Sequence, residues 1–431
     1  MDGLVKRIGI IAGSGSLPGE VARHVVGRGG FVHVIMPDGN ADPALTEFPH
    51  THVNWAQLGR TTAALKASGI RDIILLGGAV RPSFRNARPD FGFVRAIPRI
   101  LPIFRGGGDD KVLRALVSLF GSEGFRVVGV ADVAPELLVS ADTLTAAHPT
   151  ADATADIEKG FALISTLGRY DIGQGAVVAG GRVEAIEGAE GTDRMLARVA
   201  RSRAAKNYTE ASGVLVKCPK PGQDLRVDLP AIGPNTVANA SAAGLAGIAV
   251  MAGGVLAAER DRMIADADRK AMFISGIAQT QESKASVNDS GKETIRITGR
   301  ARVDAQTEAD SRRAFAILAA LSPFAEASAV VIVRGRVISV GANETPLDLL
   351  ARTVELRTRT NRRAGVAVLA PGYTADKKIL AAVDACHLAG VVVAQPAGWN
   401  IANELAAQAR ALRLFIAVAE HSQGGNGSQR T

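Results

Sequence analysis

Short apolar runs, each closed by a glycine-rich turn and followed by a helical period, recur along the first half of the chain. Val5 to Ala12 is one such run. Gly13-Ser14-Gly15-Ser16-Leu17-Pro18-Gly19 follows it, then a helix over Glu20 to Val26 and a second strand over Phe31 to Met36. The alternation continues with a helix over Thr61 to Ser68 and a strand over Asp72 to Leu76, which runs into Gly77-Gly78-Ala79-Val80-Arg81-Pro82. A helix over Val112 to Glu123 and a strand over Phe125 to Ala131 complete the set. Buried strands alternating with amphipathic helices specify parallel α/β layers. The N-terminal domain, residues 1–147, therefore reads as Rossmann-like. Ligands in such sheets bind at the carboxyl ends of the strands. That places Gly13, Ser14 and Gly15 at a helix N-terminus suited to phosphate, and Gly78 and Arg81 beside them as an oxyanion or phosphate clamp.

From Ala146 to Ala155 the composition turns to Ala, Thr and Asp, which reads as a linker. A second α/β domain, 148–278, follows. It runs through a helix from Asp156, a strand over Gly175 to Ala179, a Gly180-Gly181 turn and a strand over Arg182 to Ile186. Gly188-Ala189-Glu190-Gly191-Thr192-Asp193-Arg194 then opens a helix to Arg203. Thr192 suits a helix cap, and with Glu190 and Asp193 it makes a polar cluster. The apolar run Gly213 to Val216 leads into the stretch that organises the domain, Lys217 to Thr236, which contains four prolines and two glycines. Connections of that length are uncommon unless they are functional. It also carries Asp224 and Asp228 among Lys217, Lys220 and Arg226. Two carboxylates among three cations suit a divalent metal, a phosphate group or both.

Residues 279–293 are rich in Gln, Ser, Lys, Asn and Gly and read as a flexible linker. Residues 294–420 resemble a degenerate copy of the second domain. Asp156 matches Asp310, Phe161 matches Phe315, and Gly181-Arg182-Val183 matches Gly335-Arg336-Val337. Gly213 to Val216 pairs with Gly365 to Val368, and Leu245 to Val250 with Leu388 to Val393. The copy lacks the acidic loop: it reads Ala370-Pro371-Gly372-Tyr373 there, and Asn343-Glu344-Thr345-Pro346 stands in place of Glu190 to Asp193. Residues 421–431 read as a disordered tail.

Composition narrows the function. The net charge of +8 fits a polyanionic partner, but aromatics make up only 4% of residues. Bases stack on exposed aromatics, so nucleic acid is disfavoured. Two distant cysteines imply no disulfide framework and a reducing compartment. No secretory segment opens the chain and no apolar run is long enough to span a bilayer, so the expectation is cytoplasmic. The segment Phe84 to Arg105 mixes large apolar residues with Arg and Pro. It suits an apolar groove, a membrane surface or a buried helix with snorkelling arginines. Gly106-Gly107-Gly108-Asp109-Asp110-Lys111 follows it. One of Asp109 and Asp110 can cap the next helix, leaving the other for a metal or a hydrogen bond.

Five of these pieces, in order, resemble the LpxI-type UDP-2,3-diacylglucosamine pyrophosphatases of lipid A biosynthesis. They are Ala12 to Pro18, Gly77 to Pro82, Gly108 to Lys111, Glu190 to Asp193 and Lys220 to Gly233. The resemblance covers residues 1 to about 280. It implies hydrolysis of the UDP-linked diacylated glucosamine to 2,3-diacylglucosamine 1-phosphate (lipid X) and UMP, with Mg2+. A diacylated substrate implies peripheral association with an anionic inner-membrane surface. The expected roles are Asp224 and Asp228 as catalytic and metal-binding residues. Gly13, Ser14, Gly15, Gly78, Arg81, Asp109, Asp110, Glu190, Thr192, Asp193, Lys217, Lys220 and Arg226 are expected to bind substrate. A self-pairing face on the second domain would let the copy occupy that face within one chain; a homodimer or another partner is the alternative. The competing functions are a nucleotide-sugar or lipid-binding module without catalysis, and an NAD(P)-dependent oxidoreductase. The latter is weakened by Pro18, which stands where a dinucleotide motif has its third glycine.

Overall fold

The computed structural model describes residues 6–39, 41–78, 86–106, 109–208, 210–278, 296–299, 304–357, 362–395 and 401–420. Arg81 and the two stretches read as linker and tail, 279–293 and 421–431, lie outside them.

The first sheet is built from β1 (Arg7–Ala12), β2 (Phe31–Pro37), β3 (His50–Val53), β4 (Asp72–Leu76) and β5 (Arg126–Val127), in the order β3-β2-β1-β4-β5. Every adjacent pair is parallel. Both faces are covered, which explains the continuous apolar strands. On one face Ile8, Ile10, Val32 and Val34 pack with Val21 and Val25 of α1 (Leu17–Gly27). On the other, Ile35 and Ile73 pack with Leu65 of α2 (Leu58–Ala67) and with Leu119 and Phe120 of α4 (Asp109–Ser122). Between α2 and α4 runs α3 (Phe91–Gly106).

Three local readings are corrected here. The strand read over Phe125 to Ala131 shrinks to β5. After it the Asp132 carboxylate accepts from the Gly129 amide at 2.9 Å and the chain turns through short 3-10 segments at Val130–Asp132 and Pro135–Leu137. Helix α4 begins at Asp109, so both aspartates belong to its first turn instead of standing ahead of it. The linker read over 146–155 is helical from Ala151 onward. Its alanines favour helix, and the Thr150 hydroxyl accepts from the Ala153 amide at 3.2 Å, capping α5 (Ala151–Gly168).

The second sheet uses β6 (Gly175–Ala179), β7 (Arg182–Ile186), β8 (Val214–Lys217), β10 (Gly247–Met251) and β12 (Phe273–Ile277), in the order β12-β10-β8-β6-β7. Between these strands lie α6 (Thr192–Ala205), α7 (Pro234–Ala242) and α8 (Arg260–Arg269). Two-residue strands β9 (Ala231–Ile232) and β11 (Leu256–Ala257) pair separately in parallel. The third sheet takes β13 (Arg296–Gly299), β14 (Ala327–Val333), β15 (Arg336–Ala342), β16 (Val366–Leu369), β17 (Gly390–Gln395) and β18 (Phe415–Glu420). Its order is β13-β18-β17-β16-β14-β15, with α9 (Ala305–Leu321), α10 (Pro346–Leu356), α11 (Lys377–Ala385) and α12 (Asn403–Ala411) connecting its strands. The chain is thus α/β, with parallel pairs in every sheet.

Compactness groups the residues differently from the blocks read along the sequence. One unit comprises Met1–Pro149, Lys217–Ser241 and Ala246–Gln279; the other comprises Thr150–Val216, Ala242–Leu245 and Thr280–Thr431.

Candidate functional site

In the first unit the strand order reverses direction between β1 and β4, and the two glycine turns leave the carboxyl ends of those neighbouring strands. The turns touch: the Ser14 amide donates to Gly78 O at 2.9 Å and the Gly78 amide to Ser14 O at 2.8 Å. A Cβ on Gly13 would lie 2.5 Å from Gly78 O and 2.6 Å from the Gly77 carbonyl carbon, so the two backbones approach too closely for a side chain. Ser16 precedes α1 without a side-chain cap, and this helix start lies at the position where open α/β sheets bind ligands.

A cleft of about 1070 Å³ opens beside Ser16, lined also by Glu20, Arg23, Leu138, Ser140, Glu259 and Arg260. Its volume is in the range of substrate pockets. The Glu20 carboxylate accepts the Glu259 amide with both oxygens, each at 3.1 Å, and so caps the start of α8. Glu259 holds a left-handed backbone, φ 47°, to make that approach. Its own carboxylate pairs with Arg262 at 2.7 Å. Sequence reasoning passed over Glu20 and the Glu259-Arg260-Asp261-Arg262 run. The run is a visible signal, four charges at a helix start, but it carries no motif.

The Lys217–Thr236 connection belongs to the same unit and is folded down by its apolar residues. Val227 packs with the Phe120 and Phe125 cluster, and Leu229 and Ala231 with the Val128 and Val130 cluster. Its polar residues are fixed by local bonds. Lys217 is buried and its ammonium donates to Ala231 O at 2.9 Å, closing the base of the loop. The Lys220 amide donates to the Gln223 side chain at 2.8 Å, and that side chain donates onward to Asp228 O at 2.7 Å. Asp224 receives Arg226 through both oxygens, at 2.9 and 2.7 Å, and also accepts the Arg226 amide at 3.1 Å. The Arg226 bond, the backbone amide and the nearby Arg226 and Arg114 charges hold the Asp224 carboxyl below its usual value of 3.8. Gly129, just past β5, lies against the Arg226 backbone, so this pair sits at the carboxyl edge of the first sheet.

The remaining residues are placed as follows. Asp109 and Asp110 stand in the first turn of α4. Glu190, Thr192 and Asp193 belong to the second unit. There the Glu190 carboxylate meets Arg198 at 2.9 Å and Arg352 at 3.4 Å. Thr192 is the first residue of α6 and not its cap; Gly191, at φ 80°, takes the cap position. Among the described residues no three His, Cys, Asp or Glu side chains converge as a metal site. Both Asp224 oxygens lie on Arg226, so a magnesium held by Asp224 would take the place of that guanidinium.

The family model of the LpxI N-terminal domain matches residues 7–137, and that of the LpxI C-terminal domain matches residues 140–275. Over 279 residues the chain is 39% identical to a protein of Caulobacter vibrioides named UDP-2,3-diacylglucosamine pyrophosphatase LpxI. That alignment takes in 63% of this chain and 98% of the relative.

Proposed function

The chain belongs to the LpxI family, and from that premise we propose that it is a UDP-2,3-diacylglucosamine pyrophosphatase of lipid A biosynthesis. Water adds to one phosphorus of the P–O–P bridge and the bridge opens. The products are two phosphate monoesters: UMP and 2,3-diacylglucosamine 1-phosphate. The observation that carries this reading is the Asp224–Arg226 pair, held at the carboxyl edge of the same sheet whose switch point carries the glycine turns.

The residues divide the work by their chemistry. The glycine turn and the α1 amides offer donors to phosphate oxygens without a charged side chain. Arg226 is half-exposed and held by Asp224. It can lend its remaining N–H groups to the charge that develops on the leaving phosphate. A carboxylate held below its usual pKa is a weak proton acceptor, which suits Asp224 to orienting Arg226. To Asp228, whose amide bonds Asp224 O at 3.1 Å, this reading assigns the proton taken from water. Lys220 and Arg81 add cations for the pyrophosphate in this reading.

UMP release from UDP-2,3-diacylglucosamine tests the proposal: turnover by the wild type supports it. Binding without release would convert the chain into a nucleotide-sugar binding module. Magnesium dependence is a separate part of the proposal. Loss of turnover in EDTA, restored by Mg2+, supports it; undiminished turnover removes it. A diacylated substrate also calls for a membrane-facing surface. On α3, Phe91 is 83% exposed, with Val94 and Ile97 following at the helical spacing, and we assign that helix to contact with an anionic leaflet.

A further inference from the structure

The third sheet repeats the strand order of the second, with β14, β15, β16, β17 and β18 standing where β6, β7, β8, β10 and β12 stand. The repetition extends to bonds that no periodicity could produce. Asp156 accepts the Gly180 and Gly181 amides at 3.0 and 2.7 Å; Asp310 accepts the Gly335 amide at 2.8 Å. Lys159 reaches Gly181 O at 2.6 Å, and Arg313, at the matching place in α9, reaches Gly335 O at 2.7 Å. The buried Arg203 donates to the Ala243 and Gly244 carbonyls; the buried Arg357 donates to those of Cys386 and His387. Gly213 and Gly365 share a left-handed φ, 77° and 84°. A Cβ on either would strike the hairpin strand beside it, at Val178 O or Ile332 O.

The two sets also meet in a reciprocal way. Helix α5 packs on α9, its counterpart, and β7 on β15, its counterpart. The Ala189 amide, just past β7, donates to Ile338 O of β15 at 3.1 Å. Asn343, just past β15, donates through its side-chain nitrogen to Val183 O of β7. Each segment that follows one strand thus bonds the opposite strand, as in a two-fold pair, where one patch meets itself. A buried charge cluster lies at this contact: Glu190 with Arg198, and Arg352 bridging Glu190 and Glu344. The cluster is itself repeated: Arg198 donates to Ile186 O and Glu190, and Arg352 donates to Val340 O and Glu344 at the same sequence spacings, so Glu344, and not Asn343, is the counterpart of Glu190.

We propose that residues 305–420 are a worn copy of the preceding domain that occupies its self-pairing face, giving an internal two-fold pair within one chain with a single acidic loop. The matched interior bonds date the copy to a common fold. The reciprocal contact assigns its place, and so does the repeated charge pair, in which Arg352 of the copy meets Glu190 of the parent across the contact.

Light scattering and hydrogen exchange on the full chain test this without reference to catalysis, so the pyrophosphatase reading can fail or stand independently. The wild type should keep the mass of one chain over a roughly hundredfold range of concentration. A two-chain mass that dissociates on dilution overturns the proposal. Arg352→Glu should speed exchange about tenfold or more in both 182–190 and 336–343, because opening a paired face frees both sides together. Acceleration on one side only, or on neither, overturns it. If Arg352→Glu does not fold, Arg313→Ala, which removes the 2.6 Å bond to Tyr170 O, serves with the same two peptides as readout.

Discussion

In the proposed mechanism the chemistry turns on the pair Asp224 and Arg226. Replacing Asp224 with Ala removes the group that holds Arg226 in place, and UMP release should fall about a hundredfold or more while the melting temperature changes little. Near-normal turnover would take Asp224 out of the mechanism. The pair also fixes a pH dependence. The folded-state pKa of Asp224 is depressed, chiefly by its bond from Arg226, below 3.8. The stability this contributes is present above the unfolded value and is lost as pH falls through the lower folded value. The acid limb that Asp224 imposes on kcat/KM should accordingly lie below the ordinary carboxylate range. In Arg226→Gln that limb should rise toward 3.8. A limb that stays where it was would show that something other than Arg226 holds the carboxylate. The two cysteines contribute no comparable chemistry: burial raises both thiols, Cys218 and Cys386, to about 12.

Whole elements depend on contacts that a residue type alone does not reveal. The turn after β1 was legible as Gly-Ser-Gly, and the reason for Gly13 is the passage of Gly77 and Gly78 within 3 Å of where its Cβ would be. Gly13→Ala should lower the melting temperature by several degrees and weaken substrate binding, read as a raised KM; an unchanged KM would separate the turn from the site. Asp156 illustrates the opposite limit. It looked like the first residue of a helix, whereas it is buried inside α5 and holds the Gly180-Gly181 turn. Asp156→Ala leaves those amides unpaired and should cost roughly 2–3 kcal/mol in urea unfolding. Arg203 and Arg357 were invisible as structural residues, since nothing in a helical pattern tells a buried arginine from a solvated one.

At the scale of the molecule, the proposed lipid contact rests on the charge of +8 and on the exposed apolar residues Phe91, Val94 and Ile97 of α3. None of the described helices is long and apolar enough to cross a membrane. Wild-type protein should sediment with vesicles containing anionic lipid at low salt and release at high salt. Phe91→Asp should weaken this binding several-fold. Equal binding to neutral and anionic vesicles would remove the electrostatic part of the argument, and undiminished binding of Phe91→Asp would remove α3.

The sequence by itself determined the α/β class, because strands buried on both faces and helices buried on one leave different periods in the chain. It also determined the glycine turns at β1 and β4 and the acidic loop, since backbone geometry and charge are written in residue type. The tertiary structure decided which charges meet. Asp224 lies two residues from Arg226, so that pair was within reach of reading. Glu190 and Arg352 stand in different sequence blocks and come together only when α5 packs on α9 and β7 on β15. The cleft beside Ser16 is likewise a product of folding. Glu20 and Glu259 acquire a joint role because α1 and the start of α8 are brought side by side, and no local pattern encodes a contact between residues so far apart along the chain.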